Sequence, residues 1–237
     1  MMRLIAISRD KRFSKSDADA AILNAVINCL EQQGHEVVLI SENEFQESGE
    51  KGDLVFGMYR DEKTLSMLDE LQQHGIPAIP SPQAVRHAQR NCHVDMLMNA
   101  GIPMPPTGNV GFPCWLKKSN GWTESPSDVI FCEHEFPTNL NLNGYMIQKH
   151  IDGDLVKFYG VLGTDFFYPS DNKHLCELAT QAAEVLSLPI FGGDAIVTSD
   201  GSIYIIDFND WPSFSPCREE AAKAIAQRIL KVNRKLL

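Results

Sequence analysis

Two carboxylates near the end of the chain, Asp194 and Asp207, have a spacing that suits a divalent cation. Each belongs to a β-prone run, 194–198 and 203–207, and the Asp-Gly pair between the runs is a strong hairpin-turn signal. With Asp200-Gly201 as a two-residue loop, both aspartates lie equally far from the turn. They are therefore predicted to pair directly across the hairpin, with Cβ atoms about 5 Å apart.

Like charges that face each other on a sheet are unfavourable unless something neutralises them. A divalent cation would do so, and Asn209 projects from the same face as Asp207 and offers a third oxygen. The competing interpretation is an exposed acidic pair, which is the commoner one for two isolated aspartates. Apolar neighbours such as Ile196 and Ile205 favour the metal, because they raise the cost of an uncompensated pair. On this hypothesis Asp207→Asn weakens metal binding and leaves the metal-free fold intact or more stable.

The composition is that of a soluble globular protein, with 237 residues of which 43% are hydrophobic and 22% charged. This length permits one large domain or two small ones. No apolar run approaches the roughly 18 residues of a membrane span. The first apolar run becomes charged at Arg9, too early for a secretory signal. We therefore expect a cytoplasmic protein without a membrane partner.

A zinc site, a disulfide frame and a nucleic-acid-binding surface are disfavoured. The six cysteines show no Cys-x-x-Cys spacing and the seven histidines are dispersed, which argues against a disulfide frame and a zinc site. The net charge of −10 argues against a nucleic-acid partner. An anionic small ligand would have to be held by local cations.

The order of predicted elements indicates an α/β protein whose second part is α+β. Strands at 3–8, 36–41, 53–58 and 76–79 alternate with helices at 17–33 and 61–74, which predicts a small parallel α/β layer. A single helix is predicted over 81–100. Strands at 113–118, 129–132, 145–151 and 156–162 follow without long helices between them, which predicts an antiparallel sheet. A helix at 172–186, the acidic hairpin and a helix at 217–236 complete the chain.

Several segments between residues 81 and 212 follow one another in a recognisable order. A helix that carries Arg90 is followed by Ala-Gly-Ile-Pro-Met-Pro-Pro-Thr at 100–107, Pro-Cys-Trp-Leu-Lys-Lys at 113–118 and Tyr-Met-Ile-Gln-Lys-His-Ile at 145–151. Gly-Asp-Leu-Val-Lys at 153–157, Gly193-Asp194 and Asp207-Phe208-Asn209 come next. In this order the chain resembles the ATP-grasp superfamily, whose members include glutathione synthetases, ribosomal-protein glutamate ligases and inositol phosphate kinases.

The resemblance implies an ATP-grasp fold over residues 81–237, with a small antiparallel subdomain at about 107–151, preceded by the parallel α/β domain of residues 1–80. It implies ATP and Mg²⁺ as cofactors, with Mn²⁺ as an alternative metal. The residues that it assigns are Arg90 and Lys117 for phosphates, Gln148, Lys149, His150 and Ile151 for adenine, Asp154 for ribose, Lys157 as a catalytic cation at the γ-phosphate, and Asp194, Asp207 and Asn209 for the metal. Taken singly, Lys117 is more often part of an exposed basic pair and Arg90 is usually a solvated helix residue, while Asp154 is also an ordinary turn residue.

Three functions are compatible with this scaffold. The leading hypothesis is a carboxylate–amine ligase that acts on a small molecule or peptide through an acyl phosphate. The alternatives are a small-molecule kinase and a nucleotide-binding protein without turnover. The last is suggested by the short flap at 119–122 and by the absence of glycine in the loop after Asn209.

Acceptor recognition is predicted to involve the amino-terminal layer. Ligands of open α/β sheets lie at the carboxyl ends of strands, so the candidates are Arg9, Lys11, Arg12, Tyr59 and Arg60. Each of them alone is more commonly an exposed loop residue. Arg60 would suit a carboxylate or a phosphate on the acceptor.

Overall fold

A computed structural model describes residues 1–13, 16–119, 122 and 125–233. In chain order its elements are β1 (Arg3–Ile7), α1 (Ser16–Glu31), β2 (Glu36–Ile40), α2 (Glu42–Ser48), β3 (Leu54–Gly57), α3 (Glu62–Gln73), β4 (Ala78–Ile79), α4 (Pro82–His87), α5 (Arg90–Asn99), β5 (Cys114–Lys118), β6 (Val129–Cys132), β7 (Tyr145–Lys149), β8 (Asp154–Val161), β9 (Phe167–Tyr168), α6 (Lys173–Leu186), β10 (Ile190–Val197), β11 (Ile203–Asp210) and α7 (Arg218–Asn233). The mixed α/β class predicted from the sequence is confirmed.

The first sheet has the strand order β2-β1-β3-β4, and all its neighbouring strands are parallel. Its apolar strands are covered by helices, as a parallel sheet requires. Helix α1 is followed by Gly34 at a φ of 82°, a left-handed conformation that suits glycine after a helix. The chain leaves the carboxyl ends of β1 and β3 toward Arg9 and Arg60, and this edge forms one wall of the site described below.

Two local predictions need correction. The single helix expected over 81–100 is two helices, because Gln89 adopts an extended conformation between α4 and α5. No glycine or proline marks this break. It makes Arg90 the first residue of α5, where the guanidinium donates to the Lys118 carbonyl oxygen at 2.9 Å. Helix α2 was not predicted, although Ser41 and Glu44 form a capping box at its start.

The antiparallel strands form two sheets, whereas the sequence suggested one. Strands β6-β5-β7 make a three-stranded sheet. Strand β8 joins instead a second sheet with the order β11-β10-β8-β9. The site lies where these two antiparallel sheets approach the edge of the parallel one.

The acidic hairpin has the predicted pairing, reached in a different way. Val197 pairs with Ile203, and the N–H of Thr198 donates to the Ser202 carbonyl oxygen at 2.9 Å, so the loop is residues 199–201, three residues rather than two. A register shift beside Asp194 then leaves Ile206 without a partner, as in a β-bulge. The longer loop shifts the pairing by one residue, and the bulge shifts it back by one. Asp194 therefore lies opposite Asp207, as predicted.

The unpaired residue also exchanges the two faces of β11. Side chains on one face of a regular strand are two or four positions apart. Ile205 and Phe208 are three positions apart, and both are buried in the same core because the unpaired residue lies between them. Asp207 and Asn209 therefore project to the opposite face, where they line a cavity. Tight packing supports the hairpin here, since a Cβ added at Gly193 would lie 2.2 Å from the Asp207 carbonyl oxygen.

The parallel layer shares a core with the rest of the protein. Residues of β1, α1 and β3 pack in one cluster with Val161 of β8, Ile190 of β10, Trp211 and helix α7. The division of the chain at residue 80 stays a prediction. The six cysteines are free, and among the described residues no helix is long and apolar enough to cross a membrane.

Candidate functional site

Two adjoining cavities open between the sheets. One has a volume of about 330 Å³ and the other of about 240 Å³. They share a wall made by Arg90, Val129, Asp194 and Asp207. The acidic pair therefore stands at the junction of two spaces, where groups bound in one can meet groups bound in the other.

The larger cavity is mostly apolar and has a polar edge. Leu155, Ile196 and Ile206 contribute apolar side chains to its lining, and residues 148–151 follow strand β7 along its edge. Such a combination suits a flat heterocycle that is recognised by backbone groups.

The backbone of this edge leaves one amide available. The N–H groups of Lys149 and His150 donate to the carbonyl oxygens of Pro106 and Pro113, at 2.8 and 3.1 Å. Within the described part of the chain, the N–H of Ile151 has no such acceptor. The side chain of Gln148 is buried, and its Nε2 also has no partner there. Both are donors that a ligand in this cavity could satisfy.

The acidic pair is neutralised by neighbouring cations. Lys157 Nζ lies 2.8 Å from Asp194 Oδ1, and Arg90 Nη2 lies 3.3 Å from Asp207 Oδ1. Asn209 Nδ2 donates to Asp207 Oδ2 at 3.0 Å. Burial raises the pKa of Asp207, but the positive charges of Arg90 and Lys117 outweigh burial and hold it well below the ordinary value. Asp207 is thus a carboxylate at neutral pH.

Lys117 is a buried ammonium that the bulge helps to hold. The residue is only 6% exposed, and Nζ donates at 2.6 Å to the carbonyl oxygen of Ile206, the unpaired residue of β11. Burial lowers the pKa of Lys117 to about 8, and the nearby Asp207 opposes this shift. A further anion in the cavity would stabilise its charged form.

The donors around the acidic pair fit Mg²⁺. Asp194, Asp207 and Asn209 supply hard oxygen atoms on one face, and Mg²⁺ is commonly held by one or two carboxylates together with substrate phosphates. No group of three or more His, Cys, Asp or Glu side chains that could hold a metal occurs among the described residues. The remaining ligands would therefore come from Asn209, water and a substrate.

The smaller cavity is lined by charged residues of the parallel layer and of β11. Arg60 Nη2 lies 2.5 Å from Asp210 Oδ1, and Arg9 lies 3.3 Å from Asp19 and 3.6 Å from Asp210. Both arginines are candidates from their sequence positions, whereas neither aspartate was predicted. The sequence did contain a signal for Asp210. It lies two positions after the core residue Phe208, and strand alternation therefore puts it on the buried face of the strand.

The comparisons identify the architecture. D-alanine–D-alanine ligase from Bacillus anthracis superposes with a TM-score of 0.70, with 14% identity over 99% of each chain. A RimK domain ATP-grasp protein from Sphaerobacter thermophilus matches 96% of this chain and 99% of its own, at a TM-score of 0.69 and 18% identity. The chain has the ATP-grasp fold. The ATP-grasp ligase PsnB matches with a TM-score of 0.69 and 14% identity over 98% and 97% of the two chains. No family model and no curated sequence matches the chain.

The ATP-grasp fold brings most of the residues predicted for the site to the two cavities. The larger is lined by Arg90, Lys117, Gln148, Lys149, His150, Ile151, Asp194 and Asp207, and the smaller by Lys157 and Asn209 together with Arg90, Asp194 and Asp207. Asp154 is exposed at the start of β8 and lines neither.

Two of the five residues predicted to recognise the acceptor line a cavity. Arg9 and Arg60 line the smaller cavity, whereas Lys11 and Arg12 are exposed and line neither one. Tyr59 is buried and donates to the carbonyl oxygen of Pro80. In the short flap, residues 120 and 121 lie outside the described residues.

Proposed function

We propose that this ATP-grasp protein is an ATP- and Mg²⁺-dependent carboxylate–amine ligase that acts on a small molecule or a peptide. The observation that carries the proposal is the junction of the two cavities at Asp194 and Asp207. An apolar cavity suited to a nucleotide base and a charged cavity suited to a polar acceptor share this acidic wall.

The structural neighbours support the same reaction class. D-alanine–D-alanine ligase has been seen in complex with ATP, and PsnB with its minimal precursor, Mg and ADP. PsnB has also been seen with a precursor peptide and AMPPNP. One of these ligases is named for D-alanine and the other was seen with a precursor peptide, which supports an amino acid or a peptide as the acceptor here.

The nucleotide is proposed to occupy the larger cavity. Gln148 to Ile151 border the base, with the free N–H of Ile151 as the main backbone donor. Lys117 and Arg90 bind phosphate oxygens, and Asp154, which lies outside the cavity but next to Leu155 of its lining, is proposed to reach the ribose. Asp194, Asp207 and Asn209 would hold Mg²⁺, which supplies neutralisation of phosphate charge.

The chemistry follows from what these residues would orient. An oxygen of the acceptor carboxylate bonds to the γ-phosphorus while the bond to the ADP oxygen breaks, which gives an acyl phosphate and ADP. An amine then attacks the acyl carbon, phosphate leaves with the carboxylate-derived oxygen, and the amine loses a proton. Lys157, which contacts Asp194 of the shared wall, stabilises the transferred phosphoryl group by its positive charge.

Magnesium and nucleotide are expected to bind cooperatively. Three cations, Arg90, Lys117 and Lys157, surround two carboxylates, so the site without nucleotide repels a divalent cation. Calorimetric titration should detect only weak Mg²⁺ binding to the free protein and much stronger binding with AMPPNP. Lys157→Met should strengthen Mg²⁺ binding to the free protein, since it releases Asp194.

Lys231→Met is the matched control, because the ammonium of Lys231 contacts the Gly163 carbonyl oxygen, away from both cavities. Equal Mg²⁺ affinities of the wild type and Lys157→Met would contradict the assignment of Asp194 as a metal ligand.

Product analysis tests the function directly. The protein is incubated with ATP, Mg²⁺, and panels of carboxylic acids and amines, and the products are measured by mass spectrometry and a phosphate assay. A ligase forms ADP, free phosphate and an amide in equal amounts. A phosphorylated acceptor without free phosphate would identify a kinase instead, and AMPPNP binding without turnover on any panel member would identify a binding protein.

A further inference from the structure

Arg60 occupies a special position in the smaller cavity. The acidic pair, Arg90 and Lys157 line the part of this cavity that adjoins the nucleotide cavity, while Arg60 and Phe13 reach it from the parallel layer. An acceptor whose reacting group lies at the acidic pair would extend toward Arg60. This inference rests on the proposed function, because it concerns the acceptor of that reaction.

Arg60 and Arg9 use their hydrogen-bond donors differently. In Arg9, Nε contacts Asp19 at 3.3 Å, Nη1 donates to the Met58 carbonyl oxygen at 2.9 Å and Nη2 to that of Trp211 at 3.4 Å. In Arg60, Nη2 donates to Asp210 at 2.5 Å. Within the described part of the chain, Arg60 Nε and Nη1 have no acceptor. Each guanidinium nitrogen of Arg9 therefore has an acceptor, which marks Arg9 as a structural residue, whereas Nε and Nη1 of Arg60 keep donors for a ligand.

The guanidinium of Arg60 is held in place by aromatic rings. Its central carbon lies 4.0 Å from the ring centroid of Trp122 and 5.1 Å from that of Phe13. Trp122 belongs to the flap, so the flap and the parallel layer meet across this side chain. A fixed planar guanidinium is well suited to bind an oxyanion, since little conformational entropy remains to be lost.

The electrostatics favour an anionic ligand at this point. Burial and the positive charge of Arg9 lower the pKa of Arg60, and the contact with Asp210 only partly compensates. Asp210 is completely buried and is shared with Arg9. A bound anion would reduce the repulsion between the two arginines and satisfy the remaining donors.

We propose that the acceptor carries an anionic oxygen group, a carboxylate or a phosphoryl group, in addition to the carboxylate that reacts, and that Arg60 binds this second group. Asp210 and Arg9 position Arg60. The cavity of about 240 Å³ lies below the roughly 300–1,000 Å³ of most ligand pockets, so it holds a compact dianion or one acidic end of a longer chain.

The test uses acceptor analogues of matched length. Protein saturated with Mg²⁺ and AMPPNP is titrated calorimetrically with dicarboxylates from malonate to adipate, with the monocarboxylates of the same chain lengths, and with phosphonocarboxylates in which one carboxylate is replaced. We expect dianions to bind at least about tenfold more tightly than the matched monoanions. Tighter binding of the dicarboxylates would identify the second group as a carboxylate, and tighter binding of the phosphonocarboxylates would identify it as a phosphoryl group.

Two substitutions assign the effect to Arg60. Arg60→Lys keeps a positive charge beside Asp210 but loses the planar fork, and Arg60→Gln loses both. We expect the preference for dianions to fall in the first and to disappear in the second, with AMPPNP affinity retained. Arg86→Gln is the matched control, since Arg86 pairs with Glu62 and Asp69 and lines neither cavity.

The possible results separate this inference from the proposed function. Absence of Mg²⁺-dependent AMPPNP binding in the wild type overturns the proposed function. With AMPPNP bound, no dianion binding, equal binding of dianions and monoanions, or an unchanged preference in Arg60→Lys overturns the second anionic group. If Arg60→Gln does not fold, Arg60→Lys alone decides.

Discussion

Asp207→Asn is expected to weaken Mg²⁺-dependent nucleotide binding strongly and also to destabilise the ligand-free protein. Loss of a metal-ligating carboxylate should weaken AMPPNP binding in Mg²⁺ by about 100-fold or more. The ligand-free protein should lose on the order of 2 kcal/mol of unfolding free energy, because Arg90 at 3.3 Å and the buried Lys117 lose their counterion. Calorimetric titration and urea denaturation measure the two effects.

Asp165→Asn is the control, because Asp165 is exposed and lines neither cavity. The destabilisation should also depend on pH. The folded protein holds the pKa of Asp207 below the ordinary value of 3.8, so the stabilisation is complete above that pH and is lost as the pH falls below it. Wild type and Asp207→Asn should thus converge in stability in strong acid. A variant as stable as the wild type at pH 7 would contradict the contacts described for Asp207.

Lys117→Met is expected to have the opposite effect on stability. It should weaken AMPPNP binding by about 10- to 100-fold, since a charge-assisted contact to phosphate is lost. The ligand-free protein should become more stable at pH 7, by about 2 kcal/mol. The shift of the Lys117 pKa from the ordinary 10.5 to about 8 means that the buried ammonium destabilises the folded protein by about 3 kcal/mol. Methionine removes this destabilisation but also loses the hydrogen bond to Ile206, which contributes about 1 kcal/mol.

The sign of this effect is checked by titrating the wild type. Between pH 8 and pH 10.5 the unfolded chain still holds a proton on Lys117 that the folded chain has released, so wild-type stability rises with pH. The advantage of Lys117→Met should therefore shrink across this range. Lys231→Met serves again as the control. An advantage that persists unchanged to pH 10.5 would show that another property of methionine causes it.

The opposite signs expected for these variants illustrate what the sequence could and could not predict. Strand periodicity and turn chemistry placed Asp194 opposite Asp207, and that pairing is confirmed. From the sequence alone, removing one charge from the pair was expected to be harmless or stabilising. Since Arg90 and Lys157 come from other elements, their contacts with the pair depend on tertiary structure, and these contacts reverse the expectation.

Tertiary structure also explains the other differences. The break between α4 and α5 has no local signal such as glycine or proline, and it places Arg90 beside Lys118 and Asp207. Strand β8 was assigned to the wrong neighbours because strand pairing over long distances is not encoded by alternation within one strand. Asp210 was missed because its position on the buried face of β11 does not indicate its partners Arg9 and Arg60, which come from the parallel layer.

The unpaired Ile206 has a consequence for sequence variation. Its backbone carbonyl holds Lys117, and its presence sets which face of β11 carries Asp207 and Asn209. Replacement of Ile206 by another apolar residue should therefore be tolerated, whereas its deletion would take away the acceptor of Lys117 and the offset that separates the core face from the cavity face. At this position the protein depends on chain length more than on side-chain identity, so one missing residue would do more harm than many substitutions.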